Sequence, residues 1–450
     1  MEGKPIVAPP AGIGDPTAVT PPPSVPLGFL ISAAIGMVGF GFVTWFAADR
    51  LAATPTHPGA VGAVHMGVLA FLTVAVLGAL HQFGPVVGRR ELRSVPAARV
   101  TLVTMVVAAW LLPNGFAHGP EWMVLVGGLL AAASVIVIDW NLSAPLSSRT
   151  GGVPVVGLRI SVAYLLLTVA FGVVYVLNRQ AAWFPLLPHR VLAHAHLGLL
   201  GWLGLTYVAV SEKLWPMFLL SHRPSARSGA VAVAAIGSGV LPLATGLLFA
   251  VPALVWVGGA LVVIGLASHI VSLVGSVRHR RRALELLHAF LFTSTGFLVA
   301  AVVFGVLAAA ADVSATTRAT MVAAEVGSFM AWVTLAIVGH SHKIVPFIVY
   351  TRMRARGIRL HRSGRPLLFG DLYRKTPARV TLAAVAGGFL AIVAGLAATS
   401  AQAIAVGGVL VAAGGLIALL NLSLGPRLAG AADPVPPTSS STLEKGISNG

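Results

Sequence analysis

Three histidines, His65, His194 and His196, lie near the beginnings of two long apolar segments of the chain. An ionisable side chain inside such a segment marks a candidate functional site, because burying it without a partner is costly. Imidazoles from two helices suit axial ligation of haem iron in an apolar environment. Gly67 and Gly198 follow His65 and His196 at the same offset, and a glycine lets a flat macrocycle approach the backbone closely. The pattern predicts a facing pair of haem ligands, His65 and His196.

The same histidines have a simpler interpretation, a hydrogen bond to a helix carbonyl at a helix interface. Two matched histidines with matched glycines favour the ligand interpretation. On a helix of about 3.6 residues per turn, His194 and His196 point about 200° apart and can serve two separate sites. Three arginines at the same ends of the apolar segments could pair with haem propionates or anchor the interface. They are Arg50, Arg179 and Arg190.

A second set of polar residues lies near the opposite ends of these segments. His81, Glu212 and His342 each stand four residues before a proline, and His288 and His340 fall at a similar depth. Such residues often anchor helix ends at a basic cytoplasmic surface. A proton-uptake route, a quinone site and a metal site are the other interpretations of this set.

Cysteine is absent from the chain, whereas histidine occurs 14 times against 13 Asp and Glu residues together. This composition excludes disulfides, thiolate catalysis and cysteine-ligated metal or iron–sulfur sites. Any metal is therefore held by His, Met, carboxylate or carbonyl groups.

The elements that carry these residues are predicted to be membrane-spanning helices. Of the 450 residues, 57% are hydrophobic and 10% are charged, whereas about a quarter are charged in soluble globular chains. Apolar windows of about 20 residues predict an all-α, polytopic membrane domain over residues 26–425 with twelve spans. These are 26–48, 60–85, 98–114, 121–139, 155–177, 192–215, 229–250, 252–275, 284–309, 321–346, 379–399 and 402–422. Residues 1–25 and 426–450 are predicted to be disordered cytoplasmic segments.

Basic residues are concentrated in alternate connections between the spans, for example within residues 278–282 and 352–379. The positive-inside rule then places both termini in the cytoplasm and predicts a multi-pass protein of the inner (plasma) membrane. The net charge of +17 follows from this topology, so the lipid bilayer is the expected partner and nucleic acid is not.

Three segments of the chain align without gaps and each ends in a proline. They are FLTVAVLGALHQFGP (71–85), WLGLTYVAVSEKLWP (202–216) and WVTLAIVGHSHKIVP (332–346), so that the prolines lie 131 and 130 residues apart. Phe-Gly pairs at 40–41, 171–172 and 304–305 repeat at nearly the same interval. Two markers of one period predict three pseudo-repeats of four helices, at about 26–150, 151–280 and 281–425.

The alignment makes His65 and His196 equivalent, and the third unit has Val326 at this position. The neighbouring Glu325 is a carboxylate near the outer end of its span. It is a candidate proton carrier or metal ligand, or a residue of the membrane interface.

The stretch HAHLGLLGWLGLTYVAVSEKLWP (194–216) resembles the His-x-His helix of heme-copper oxidase subunit I proteins, especially the C-type oxidases. The stretch HMGVLAFLTVAVLGALHQFGP (65–85) also resembles the second helix of NnrS-type haem- and copper-associated membrane proteins. The resemblance implies twelve helices in a pseudo-threefold arrangement. It also implies that His65 and His196 ligate a low-spin haem, of b type, and that His194 ligates a high-spin haem.

The chain departs from the oxidase pattern in the position of its His-x-His pair, which lies on span 6 instead of span 10. Span 7 contains no histidine, so the copper-ligating histidines of the family are missing there. The sequence thus predicts a haem-binding membrane protein with a redox or nitric-oxide-related role, whose enzymatic activity stays open. Partner subunits or a quinone are its expected redox partners.

Two other functions fit some of the same observations. A secondary transporter also has repeats, glycine-rich helices and polar groups within the membrane. A metal carrier could use His together with Met66 and Met321, without a macrocycle.

Overall fold

The structure, a computed structural model, describes residues 19–54, 56–221, 226–424 and 427. Within these residues the chain forms twelve helices that are long and apolar enough to cross a membrane, and no strand. They are α1 (Ser24–Phe46), α2 (Pro58–Gly88), α3 (Val95–Ala117), α4 (Glu121–Leu146), α5 (Gly152–Ala181), α6 (Pro188–Leu219), α7 (Arg227–Phe249), α8 (Pro252–Arg278), α9 (Leu286–Ala310), α10 (Ala315–Ala355), α11 (Lys375–Ala397) and α12 (Ala401–Ser423). The predicted all-α fold with twelve spans is confirmed. The predicted disordered segments, 1–25 and 426–450, lie largely outside the described residues.

Helices α2, α6 and α10 form the interior of the bundle. Of their most apolar stretches, 72%, 67% and 67% of the residues are buried, against 28–44% in the other nine helices. The indole nitrogen of Trp202 on α6 donates a hydrogen bond of 3.2 Å to the hydroxyl of Thr73 on α2. Helix α1 packs against both α2 and α12, so that the first and the last of the twelve helices are in contact. The interior helices are the three that the sequence aligns, and their grouping into three repeats stays a prediction.

Two of the interior helices contain a π-helical segment. It covers Met66–Thr73 in α2 and Leu197–Gly204 in α6, which places the two segments 131 residues apart. Each segment begins directly after a candidate ligand, His65 or His196, whereas α10 is α-helical from Ala315 to Ala355. Because a π-helical turn changes the rotation of the residues around it and is frequent at functional sites, these segments set where the histidines point.

The helices continue past several predicted boundaries. Pro85, Pro216 and Pro346 all lie inside their helices, and α10 reaches Ala355 although its span was predicted to end at residue 346. A proline removes one backbone donor, and a buried bundle tolerates this because neighbouring groups satisfy the freed carbonyl. The connection after α10 folds back onto that helix, where Leu367 and Leu372 pack against Met353.

Candidate functional site

The rings of His65 on α2 and His194 on α6 face each other. Their centroids are 6.2 Å apart and their planes differ by 19°. Nδ1 of His65 lies 2.8 Å from the carbonyl of Val61, one helical turn earlier, which fixes this ring. Nδ1 of His194 is buried and lacks a hydrogen bond of good geometry among the described residues, and the backbone of Thr168 on α5 lies near this ring. Two imidazoles from different helices thus lie next to each other, and at least one of their nitrogen atoms is available to an added ligand.

Aromatic side chains flank both rings. Phe116 of α3 and Tyr175 of α5 lie against His65 and His194, at centroid distances of 5.5 and 5.8 Å. The guanidinium of Arg179 lies over the Phe116 ring at 5.3 Å. These contacts restrict the rotation of both imidazoles and surround them with apolar surface.

His196 turns away from this pair and towards α10. Its Nε2 is 3.7 Å from Oε1 of Glu325, and its Nδ1 is 2.8 Å from the carbonyl of Leu192. Gly305 of α9 makes room for the carboxylate, since a Cβ there would lie 2.6 Å from Oε1 of Glu325. The pairing of His65 with His196, predicted from their matched positions, therefore differs from the arrangement in the structure. The two α6 histidines point to different neighbours, and it is His194 that faces α2.

Neighbouring side chains occupy the space beside the glycines that follow His65 and His196. A Cβ on Gly67 would lie 2.4 Å from Met330 and 2.8 Å from Phe40, and one on Gly198 would lie 3.2 Å from Thr168. Helix packing accounts for both glycines. Their role beside a macrocycle stays a prediction.

The three arginines near this end of the bundle have different surroundings. Arg179 forms an ion pair with Glu121 at the start of α4. Arg190 donates a hydrogen bond of 2.9 Å to the carbonyl of Pro185, in the connection between α5 and α6. Arg50 instead lines a cavity of about 210 Å³ between α1, α2 and α3. The cavity is also lined by Met66, Asn114 and His118. Arg50 is thus the arginine that presents its charge to a cavity beside the histidine pair.

Two of the inner histidines are parts of matched aromatic stacks. His81 lies 4.9 Å from Phe29, and His342 lies 5.4 Å from Phe290, with the same sequence separation in both pairs. Each ring also places Nδ1 close to the carbonyl four residues earlier. These contacts indicate a packing role for His81 and His342.

His288 caps the beginning of α9. Its Nδ1 accepts a hydrogen bond of 2.8 Å from the backbone N–H of Glu285. The carboxylate of Glu285 in turn binds Nζ of Lys343 at 2.6 Å. This geometry agrees with the predicted anchoring of helix ends.

A buried polar cluster in the inner half contains two residues that sequence reasoning missed. Tyr207 of α6 and His269 of α8 lie edge-on with centroids 5.7 Å apart, and His340 of α10 is 6.1 Å from Tyr207. Oε1 of Glu212 is 3.8 Å from Nδ1 of His269. His269 interrupts the apolar stretch LASHIVS, a signal by which it could have been found. Tyr207 gives no comparable signal.

A site with three or more His, Asp or Glu ligands for one metal ion is not found within the part of the chain that the structure describes. The donor set at the outer end is instead two imidazoles, from His65 and His194. A haem iron takes two axial donors, because the macrocycle supplies the other four. The number and the type of these donors therefore fit a haem iron.

Comparison with known proteins identifies the fold. No family model and no curated protein sequence matches the chain. Among the solved structures that match is one described as a cryo-EM structure of a heme-copper terminal oxidase dimer, with a TM-score of 0.61 and 12% sequence identity. The match covers 91% of this chain and 85% of the other. The heme-copper oxidase subunit I-like fold predicted from the sequence is thus confirmed, and at this identity the likeness is one of fold.

Proposed function

We propose that the protein binds a b-type haem within the membrane and that His65 and His194 are its axial ligands. The observation that carries the proposal is the pair of facing imidazoles with centroids 6.2 Å apart. With metal–nitrogen bonds of about 2.0 Å, two imidazoles in line on one ion have centroids about 6 Å apart. Nδ1 of His194, which lacks a hydrogen bond of good geometry, and the oxidase-like fold support the same assignment.

A haem held by these residues would supply one-electron redox chemistry and could bind a diatomic gas. The residues of the chain hold and shield it. Val61 fixes the ring of His65, and Phe116 and Tyr175 pack against the two imidazoles. Arg50 offers a positive charge in the neighbouring cavity, where an anionic group of the ligand could lie. These roles suit a redox or nitric-oxide-related function without the copper-ligating histidines of the oxidases.

The proposed setting is the plasma membrane, with both termini in the cytoplasm. The support is the concentration of arginine in alternate connections, which follows the positive-inside rule. Electrons would come from a partner subunit or a quinone.

Absorption spectroscopy of the purified protein, expressed with adequate haem supply, tests the proposal. We expect a Soret band and haem bound at about one equivalent per chain, since one pair of imidazoles serves one iron. His65→Ala and His194→Ala are each expected to lose most of this haem.

Two other histidines provide matched controls. His196→Ala and His288→Ala are expected to retain the haem of the unmodified protein, because His196 faces Glu325 and His288 caps a helix. A protein without a Soret band would overturn the proposal. Loss of haem in His196→Ala with retention in His194→Ala would restore the pairing predicted from the sequence.

A further inference from the structure

The inner polar cluster contains several buried polar atoms without partners. Among the described residues, Oε1 of Glu212 and both ring nitrogens of His269 are buried and form no hydrogen bond, and the hydroxyl of Tyr207 lies near Nε1 of Trp215. Unsatisfied polar groups are costly in a membrane interior, because water is not available to replace the partner. A bound ion would satisfy the carboxylate and the imidazole together.

His269 differs from five other histidines inside the helical bundle. Their Nδ1 atoms lie 2.7–2.8 Å from the carbonyl four residues earlier, as in His65, His81, His196, His340 and His342. Nδ1 of His269 has no such bond and lies near Glu212 instead. The imidazole of His269 thus lies opposite a carboxylate and forms no hydrogen bond to the backbone of its own helix.

The distance between these two groups suits a shared ion. Nδ1 of His269 and Oε1 of Glu212 are 3.8 Å apart, which is too long for a hydrogen bond. Two ligands with bonds of about 2.0–2.2 Å to one tetrahedral zinc-type ion stand about 3.3–3.6 Å apart, and a contraction of about 0.2 Å would bring the two groups to that separation. The side chains of the similarly spaced pair His196 and Glu325 are 15% and 22% exposed, whereas those of His269 and Glu212 are 0% and 7% exposed.

The carboxylate of Glu212 is held from its other side. The hydroxyl of Ser272 donates a hydrogen bond of 2.8 Å to Oε2, and Gly229 leaves the space that Oε2 occupies, since a Cβ there would lie 2.1 Å away. Metal-binding carboxylates are typically oriented by such a second hydrogen bond, which leaves one oxygen for the ion.

We propose that Glu212 and His269 bind a divalent transition-metal ion of the zinc type in the inner half of the bundle. No three His, Asp or Glu side chains converge within the described residues, so these two are the protein ligands and water completes the coordination. A donor set of one imidazole and oxygen ligands is compatible with Zn²⁺. Tyr207 lies 13 residues beyond His194 on the same helix, or about 20 Å at 1.5 Å per residue, so the ion is separate from the haem pair.

Zinc binding by the full-length, tag-free protein tests this site. The protein is stripped with a chelator, incubated with Zn²⁺ and desalted, and its zinc content is measured by mass spectrometry. We expect about one zinc per chain in the unmodified protein and about a tenth or less in His269→Gln and Glu212→Gln, because each removes one ligand. X-ray absorption should show a first shell of nitrogen and oxygen at about 2.0–2.2 Å.

Two further variants keep the test decisive. His81→Gln removes an equally buried inner histidine that stacks on Phe29, and it should bind zinc as the unmodified protein does. Ser272→Ala removes only the hydroxyl that orients Glu212, and it should weaken zinc binding about 10–100-fold even if the ligand variants fail to fold. Unmodified protein that retains no more zinc than His269→Gln, or equal affinity in Ser272→Ala, would overturn the proposal.

Discussion

The two histidines of α6 show how position on a helix decides the partner of a residue. His194 faces His65 on α2, whereas His196, only two residues later, faces Glu325 on α10. The sequence places Glu325 beside Val326, where the third histidine of the repeat would stand. A carboxylate on α10 thus meets the second histidine of α6.

Removing the Glu325 carboxylate should therefore destabilise the protein around His196. We expect Glu325→Ala to lower the free energy of unfolding by about 1 kcal/mol, because the imidazole loses its polar neighbour in a mostly apolar region. Glu325→Gln keeps a polar group of the same size and should retain most of the stability. Thermal unfolding in detergent, followed by circular dichroism, measures both. Equal stability of Glu325→Ala and the unmodified protein would show that this contact contributes nothing.

At the scale of elements, the π-helical segments determine where the candidate ligands point. Both begin directly after a candidate histidine, and α10, which lacks the histidine, lacks the π-helical turn as well. A π-helical turn accommodates an additional residue, so its presence changes the relation between the histidines and the inner half of the same helix.

Deleting Leu200 from the segment Leu197–Gly204 tests this element. Each helical residue accounts for a rotation of about 100°, so the deletion should turn His194 away from His65 and abolish most haem binding. Deletion of Ser363 in the connection after α10 is the control and should leave haem content unchanged. Haem content of both purified variants is the measurement, and full haem in the α6 deletion would rule out a positioning role for this segment.

Part of this arrangement could be predicted from the sequence because it depends on periodicity and hydropathy alone. The twelve spans are of this kind, and the three segments that the sequence aligns fall on the helices α2, α6 and α10 that lie in the interior. The choice of His194 over His196 could not, since it depends on helix rotation that the π-helical segments alter. Pro346 suggested a helix end, and the bundle tolerates it inside α10 instead. His269 and Tyr207 belong to no aligned motif, and only packing brings them to Glu212.

At the scale of the whole molecule, the absence of cysteine gives a direct test of the proposed orientation. Single cysteines at Arg89 and Arg280, in the arginine-rich connections, should react with a membrane-impermeant thiol reagent only after the membrane is opened. A cysteine at Trp183, in the connection between α5 and α6, should react in intact cells. The basis is the positive-inside rule. Labelling with the opposite pattern would reverse the assignment of the two sides.

The oxidase-like fold brings α2 and α6 together, and we propose that one haem is held between His65 and His194 at this contact. Electron paramagnetic resonance of the oxidised, purified protein can detect such a haem, because a low-spin ferric haem with two imidazole ligands has a characteristic spectrum. We predict this spectrum in the unmodified protein and in His196→Ala, and its loss in both His65→Ala and His194→Ala. A bis-imidazole signal that persists in His194→Ala would show that His194 is not a haem ligand.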